Sequence, residues 1–168
     1  MLSKGQQAKY LLDYRFGRIK QGLKIDCDLD NYIVFKQKQL NIILGHDNVG
    51  KSYWIFWYFL CVALRHQKRF CLWAGENQYG QIMRDLIQMY KGKPFLELKE
   101  QEIINCSAYL EQYFDFIDNS RQYTPEQLLK EFEKSDADAF LIDPYTGLTR
   151  QYGYEGNYEF LNMARQFV

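Results

Sequence analysis

Two histidines and four cysteines are all that this chain of 168 residues offers a soft metal ion, and neither set is grouped. Cys27, Cys61, Cys71 and Cys106 show no C-x-x-C spacing and have no histidine cluster beside them, which argues against a structural zinc site. The same scatter reads as reduced, mostly buried thiols in a cytosol-like compartment. Net charge is also missing, since twenty-one basic residues balance twenty-one acidic ones. That balance excludes no partner, because a local patch can still hold a polyanion. The most apolar run, Tyr53 to Leu64, falls well short of the roughly 20 residues a membrane span needs, and it suits a buried helix. The N-terminus is polar and basic, so no signal peptide and no membrane partner are expected. No internal repeat or low-complexity tract interrupts the chain. Hydrophobic residues make up 47% and aromatic residues 17%, which excludes wholesale disorder and suits one well-cored domain at this length.

One motif stands out from this ordinary background. Gly45-His46-Asp47-Asn48-Val49-Gly50-Lys51-Ser52 reads G-x-x-x-x-G-K-S, the phosphate-cradling P-loop. The glycines let the backbone curl so that successive N–H groups face phosphate oxygens. Lys51 has the reach for the β- and γ-phosphates, and the Ser52 hydroxyl suits Mg²⁺. A chance match in a chain this long is on the order of half a percent at average residue frequencies. The context fits as well: Leu40 to Leu44 before the loop is a short apolar run of strand type, and Ser52 onward is apolar over helix length. The nucleotide-binding stretch is therefore read as Gly45 through Tyr53. His46 within it and His66 at the helix end read as incidental rather than as ligands.

The rest of the chain alternates strands with helices, which predicts an α/β domain with a mostly parallel sheet. Residues 2–16 have a weak helical pattern, with Ala8, Leu11, Leu12 and Phe16 on one side, and 1–21 reads as a basic N-terminal extension. The core is expected over 22–168. Its buried strands are expected at 38–44, 69–74, 113–118 and 137–143, and its helices at 52–66, 80–91, about 95–112, 124–134 and from Asn157 onward. Thr124-Pro125-Glu126-Gln127 is a clear helix start, with threonine at the cap and proline in the first turn.

A P-loop needs a carboxylate to orient its metal, held at the tip of a buried strand. Phe140-Leu141-Ile142-Asp143 has that form, although an aspartate there can simply cap a turn. Glu76, after the strand ending at Ala74, is the other informative acid. A carboxylate at a neighbouring strand tip can align the water that attacks a phosphate, and a solvated glutamate is the plainer alternative.

The order and spacing of these pieces resemble the RecA-like ATPase core of DnaB-type replicative ring helicases, especially phage versions. The likeness is carried by Leu40–Ser52, Phe70–Gln78, Phe114–Leu129 and Phe140–Leu148, and with the spacing it covers roughly residues 22–168. It implies a RecA-like P-loop fold using ATP and Mg²⁺. Glu76 would be the catalytic base, Lys51 the phosphate-binding catalytic lysine, and Ser52 with Asp143 the metal ligands. It further implies a bacterial or phage-infected cytoplasm, and a hexameric ring of identical subunits in the full-length protein, threading single-stranded DNA. The family places a further strand between the Asp143 strand and the P-loop strand, with a γ-phosphate sensor, and an arginine finger beyond. With the chain stopping at Val168, either those later strands lie outside it, the favoured expectation and one that implies poor activity from these residues alone, or the core closes differently.

By position the loop 149–157 matches the family's DNA-facing loops, where Arg150 would meet a phosphate and Tyr152 and Tyr154 would stack on bases; local packing of those tyrosines is the alternative. Lys4, Lys9, Arg15, Arg18 and Lys20 fit either a linker helix docking on a neighbouring subunit or a solvated basic face. Two other classes stay open: a recombinase-like or KaiC-like ATPase that assembles without unwinding, and a small-molecule P-loop kinase. No arginine-rich lid of the kind such kinases carry is found.

Overall fold

The computed structural model describes residues 5–19, 22–151 and 153–168. The chain groups into two compact units, one up to Lys36 and one from Gln37 to Val168. Residues 22–36, assigned to the core on sequence, group with the N-terminal unit. Within that segment Leu23 and Phe35 exchange backbone hydrogen bonds of 2.8 and 3.0 Å as an isolated antiparallel bridge. Between them Asp30 accepts from the backbone N–H groups of Ile25 at 2.9 Å and Cys27 at 3.2 Å, closing a short 3₁₀ turn, Asp28–Asn31. The same unit holds α1 (Gln6–Arg15), none of whose residues is buried; Leu11, Leu12 and Phe16 face solvent. Lys4 and Lys20 of the basic stretch lie outside the described residues.

The second unit is α/β: a small, open, parallel three-stranded sheet flanked by helices. Its elements run α2 (Lys51–His66), β1 (Phe70–Ala74), α3 (Tyr79–Lys91), α4 (Glu100–Leu110), β2 (Phe114–Phe116), α5 (Pro125–Phe132), β3 (Ala139–Asp143) and α6 (Tyr154–Phe167). Strand order is β2-β1-β3, with Phe70 opposite Phe114 and Ala139, and Ala74 opposite Asp143. Every residue of the central strand β1 is buried, as a parallel strand covered on both faces requires. Alternation divides those residues between two layers. Cys71 and Trp73, with Phe140 and Ile142 beside them, pack against Leu128, Leu129 and Phe132 of α5 and Phe160 and Ala164 of α6. Phe70 points the other way and stacks on Phe59 of α2, ring centroids 4.1 Å apart. The start of α5 is built as its residues dictate, since Gln127 N–H donates to Thr124 Oγ1 at 3.4 Å and Thr124 N–H to Gln127 Oε1 at 2.9 Å. Among the described residues, no helix is long and apolar enough to cross a membrane.

One expected strand is not there. Leu40 to Leu44 makes no ladder with any strand, and Ile42 is 56% and Leu44 85% exposed. Its sequence has strand composition, but a strand exists only through the hydrogen bonds of a neighbour. The segment begins beside β3, where Gln37 donates to Asp138 at 2.7 Å, yet β3 remains the sheet's edge.

The N-terminal end of the sheet is tied by charge. Arg69 pairs with Asp115 at 3.0 Å and with Asp136, and Lys68 pairs with Asp138 at 2.7 Å. A second electrostatic tie joins α3 to α4. Glu102 accepts from the backbone N–H of Lys99 at 3.0 Å and lies 3.3 and 3.4 Å from Lys91 and Lys93. The Lys99 backbone bond, reinforced by the two ammonium groups, holds its carboxyl at about 2, well below its ordinary value of 4.5. A carboxyl depressed in the folded state stabilises fully above its unfolded pKa, and that contribution is lost as pH falls through the folded value. The tie's contribution to stability is thus expected to be full above pH 4.5 and lost between there and about pH 2, where the carboxyl itself takes up its proton. Carboxyl NMR titration of Glu102 checks this, and a midpoint near 4.5 contradicts it.

Candidate nucleotide site

The motif residues 45–50 form an exposed turn that runs directly into α2. Gly50 stands at the helix N-cap with φ of +84°, a conformation that costs a residue with a Cβ about 1 kcal/mol or more. Asn48, also at positive φ, is one of the few other types that tolerate it. No side chain caps α2 and no acid lies in its first turn, so the positive end of a 16-residue helix opens onto the loop. Such an end is suited to an anion. Lys51 folds back over the turn and donates to the carbonyls of Gly45 at 2.9 Å and His46 at 2.6 Å. An ammonium has three donors, so these two bonds hold it over the turn without exhausting it. Ser52 follows, half-buried, with Tyr53 exposed beside it; Asp47 and Val49 are exposed in the turn.

The position of this turn relative to the acids follows from packing. α2 leads through 67–69 straight into β1, and Phe59 lies on Phe70 at the start of that strand, so helix and strand run antiparallel. From Phe59 back to Lys51 the helix rises about 12 Å. From Phe70 to Ala74 the strand rises about 13 Å. By these rises the N-terminus of α2 falls toward the C-terminal end of the sheet. Both acids are at that end. Asp143 is the last residue of β3, and its backbone carbonyl accepts from Gly75 N–H at 2.9 Å, which seats Gly75-Glu76 against the tip of β3. Glu76 itself is exposed. Asp143 Oδ2 is buried and has no hydrogen-bond partner. A buried carboxylate oxygen without a donor is compatible with a cation ligand, although the described residues hold other buried polar atoms of this kind, such as Trp73 Nε1. Among the described residues no three His, Cys, Asp or Glu side chains gather at one point.

Two features of the tip were not read from sequence. Gly75 leaves no room for a side chain, since an added Cβ would stand 2.8 Å from the Trp73 indole. Asn119, just past β2, donates its side-chain amide to the carbonyls of Ala74 at 2.6 Å and Asn77 at 2.9 Å, spanning Glu76. Its only sequence signal is a polar triplet after a strand, which predicts a turn and nothing more.

The residues assigned to DNA are arranged differently from an open loop. Arg150 lies over the Tyr145 ring, 4.5 Å from its centroid, and donates to Asn157 Oδ1 at 2.7 Å and Gln151 O at 3.1 Å. Tyr154 begins α6, three positions ahead of the expected start at Asn157; it is 82% exposed and stacks on Tyr158 at 6.2 Å. Tyr152 lies outside the described residues. No protein-family model matches the chain, and no curated protein matches it.

Proposed function

We propose that this protein is an ATP-binding and ATP-hydrolysing P-loop module of RecA-like type, the motor domain of a replicative DNA helicase that couples hydrolysis to movement along single-stranded DNA. The observation that supports the reading is the G-x-x-x-x-G-K-S turn leading into an uncapped helix, in a domain where two acids stand at adjacent strand tips and one of them has a buried oxygen without a hydrogen-bond partner.

In this reading the loop N–H groups and the α2 terminus receive the phosphates, and Lys51 exchanges a loop carbonyl for the β/γ oxygens. A Mg²⁺ held by Ser52 and Asp143 would offset phosphate charge. Glu76 accepts the proton of the attacking water as the bond to the terminal phosphorus forms and the β–γ bridge breaks. Assembly into a ring of identical subunits belongs to the same proposal.

A second reading, nucleotide-driven assembly without unwinding, draws support from Arg150, whose guanidinium is engaged by Asn157 and Tyr145 instead of being presented outward. ATP turnover by the purified protein separates the two. Turnover that rises several-fold with single-stranded DNA supports the motor, and turnover indifferent to DNA supports the assembly ATPase. Phosphate transfer to a nucleoside or sugar would indicate a kinase instead. A protein that ignores Mg-ATP altogether overturns the proposal.

A further inference from the structure

The backbone that carries Glu76 is held from two sides, and one of the holders has no role in the chemistry described so far. On the β3 side, Gly75 N–H donates to Asp143 O. On the β2 side, Asn119 sends one amide nitrogen to two carbonyls, Ala74 O at 2.6 Å and Asn77 O at 2.9 Å. Both partners are acceptors, which fixes the end of the amide that faces them and engages both of its N–H donors. Asn119 is itself held firmly. Ile117 N–H donates to Leu72 O at 2.9 Å, continuing the ladder past β2. The next residue, Asp118, accepts from Ser120 N–H at 2.9 Å and Ser120 Oγ at 2.7 Å, closing a tight turn. The turn after β2 thus bonds to both ends of the segment 74–77 on the next strand, and the exposed Glu76 lies between those two bonds.

We propose that Asn119 is a positioning residue that sets where Glu76 stands against the attacking water. This rests on the reading of Glu76 as the base. A base that must sit within hydrogen-bond reach of one water loses rate when its backbone wanders by an ångström, whereas nucleotide affinity, carried by the P-loop, does not change. Asn119 bonds to the backbone carbonyls on either side of Glu76, so its effect on the chemistry is expected to pass through Glu76.

The experiment compares Asn119→Ala and the isosteric Asn119→Asp with the parent protein, alone and combined with Glu76→Gln. Three readings are taken: ATP turnover, affinity for a fluorescent ATP analogue, and amide hydrogen exchange over 75–77. Expected is a fall in kcat of at least about tenfold with affinity unchanged within about twofold. Exchange over 75–77 should quicken, and more so in Asn119→Asp, whose carboxylate faces two carbonyls without a donor. In the Glu76→Gln background, Asn119→Ala should have no additional effect on turnover, because residues acting as one unit do not add. Parental turnover in Asn119→Ala overturns the inference, as does a tenfold fall that persists without Glu76, or affinity lost in step with rate. Normal turnover in Glu76→Gln alone overturns the base assignment and this inference together. Normal turnover in Asn119→Ala beside a dead Glu76→Gln overturns this inference only.

Discussion

Lys51→Ala is expected to weaken Mg-ATP binding by at least about 100-fold, a loss of about 2.7 kcal/mol, while leaving the fold intact. Charge-assisted hydrogen bonds are worth about 1.5–3 kcal/mol each, and the ammonium would make one or two to the phosphates. The fold is spared because the Lys51 head group bonds only to two carbonyls of an exposed turn. The buried side of α2, with Ile55, Phe56, Phe59 and Val62, begins further along the helix. Lys51→Arg should fare little better, since a planar five-donor fork does not reproduce a compact ammonium point charge. Titration with a fluorescent nucleotide, alongside thermal melting, checks both. Parental affinity in Lys51→Ala would show that the phosphate site lies elsewhere.

The second large effect belongs to Glu76→Gln. The substitution keeps size and shape and removes only the basic oxygen, so turnover should fall by roughly 10²–10⁴-fold, the usual range for a lost general base. Binding should hold, because the three backbone bonds that seat this segment involve Gly75, Ala74 and Asn77 and not the Glu76 side chain. Single-turnover hydrolysis set against nucleotide affinity makes the measurement. Hydrolysis at the parental rate in Glu76→Gln removes Glu76 from the chemistry and leaves the P-loop assignment standing.

What could be read in advance was local, and what could not was long-range. The helix start at Thr124 is complete within four residues, so its hydrogen bonds appear as the sequence implies. β1 was legible because a fully buried strand is an unbroken apolar run ended by glycine, and Phe70–Ala74 followed by Gly75 is that pattern. Leu40–Leu44, apolar except for Asn41 and also followed by glycine, makes no ladder, because composition does not supply the neighbour whose carbonyls and amides make a strand. The closing of 22–36 on itself rests on Leu23 meeting Phe35, a pairing that no local pattern announces. In the candidate site, Lys51 and Ser52 come from the motif and Asp143 from its place at the end of a buried strand, while Glu76 comes from the resemblance. Asn119 was not legible, since its partners stand 42 and 45 positions away and the sheet alone brings them together.

The tryptophan under the strand tips gives the molecule a built-in optical reporter. Trp73 is only 2% exposed, and the far edge of its indole ring touches the space above Gly75 and Gly147, each bare of a side chain. Any displacement of the backbone bearing Glu76 or of the turn after Pro144 must change what that ring touches. Its fluorescence can therefore follow the chemistry end of the sheet in real time, with no dye attached, provided Trp54 and Trp57 are replaced by phenylalanine.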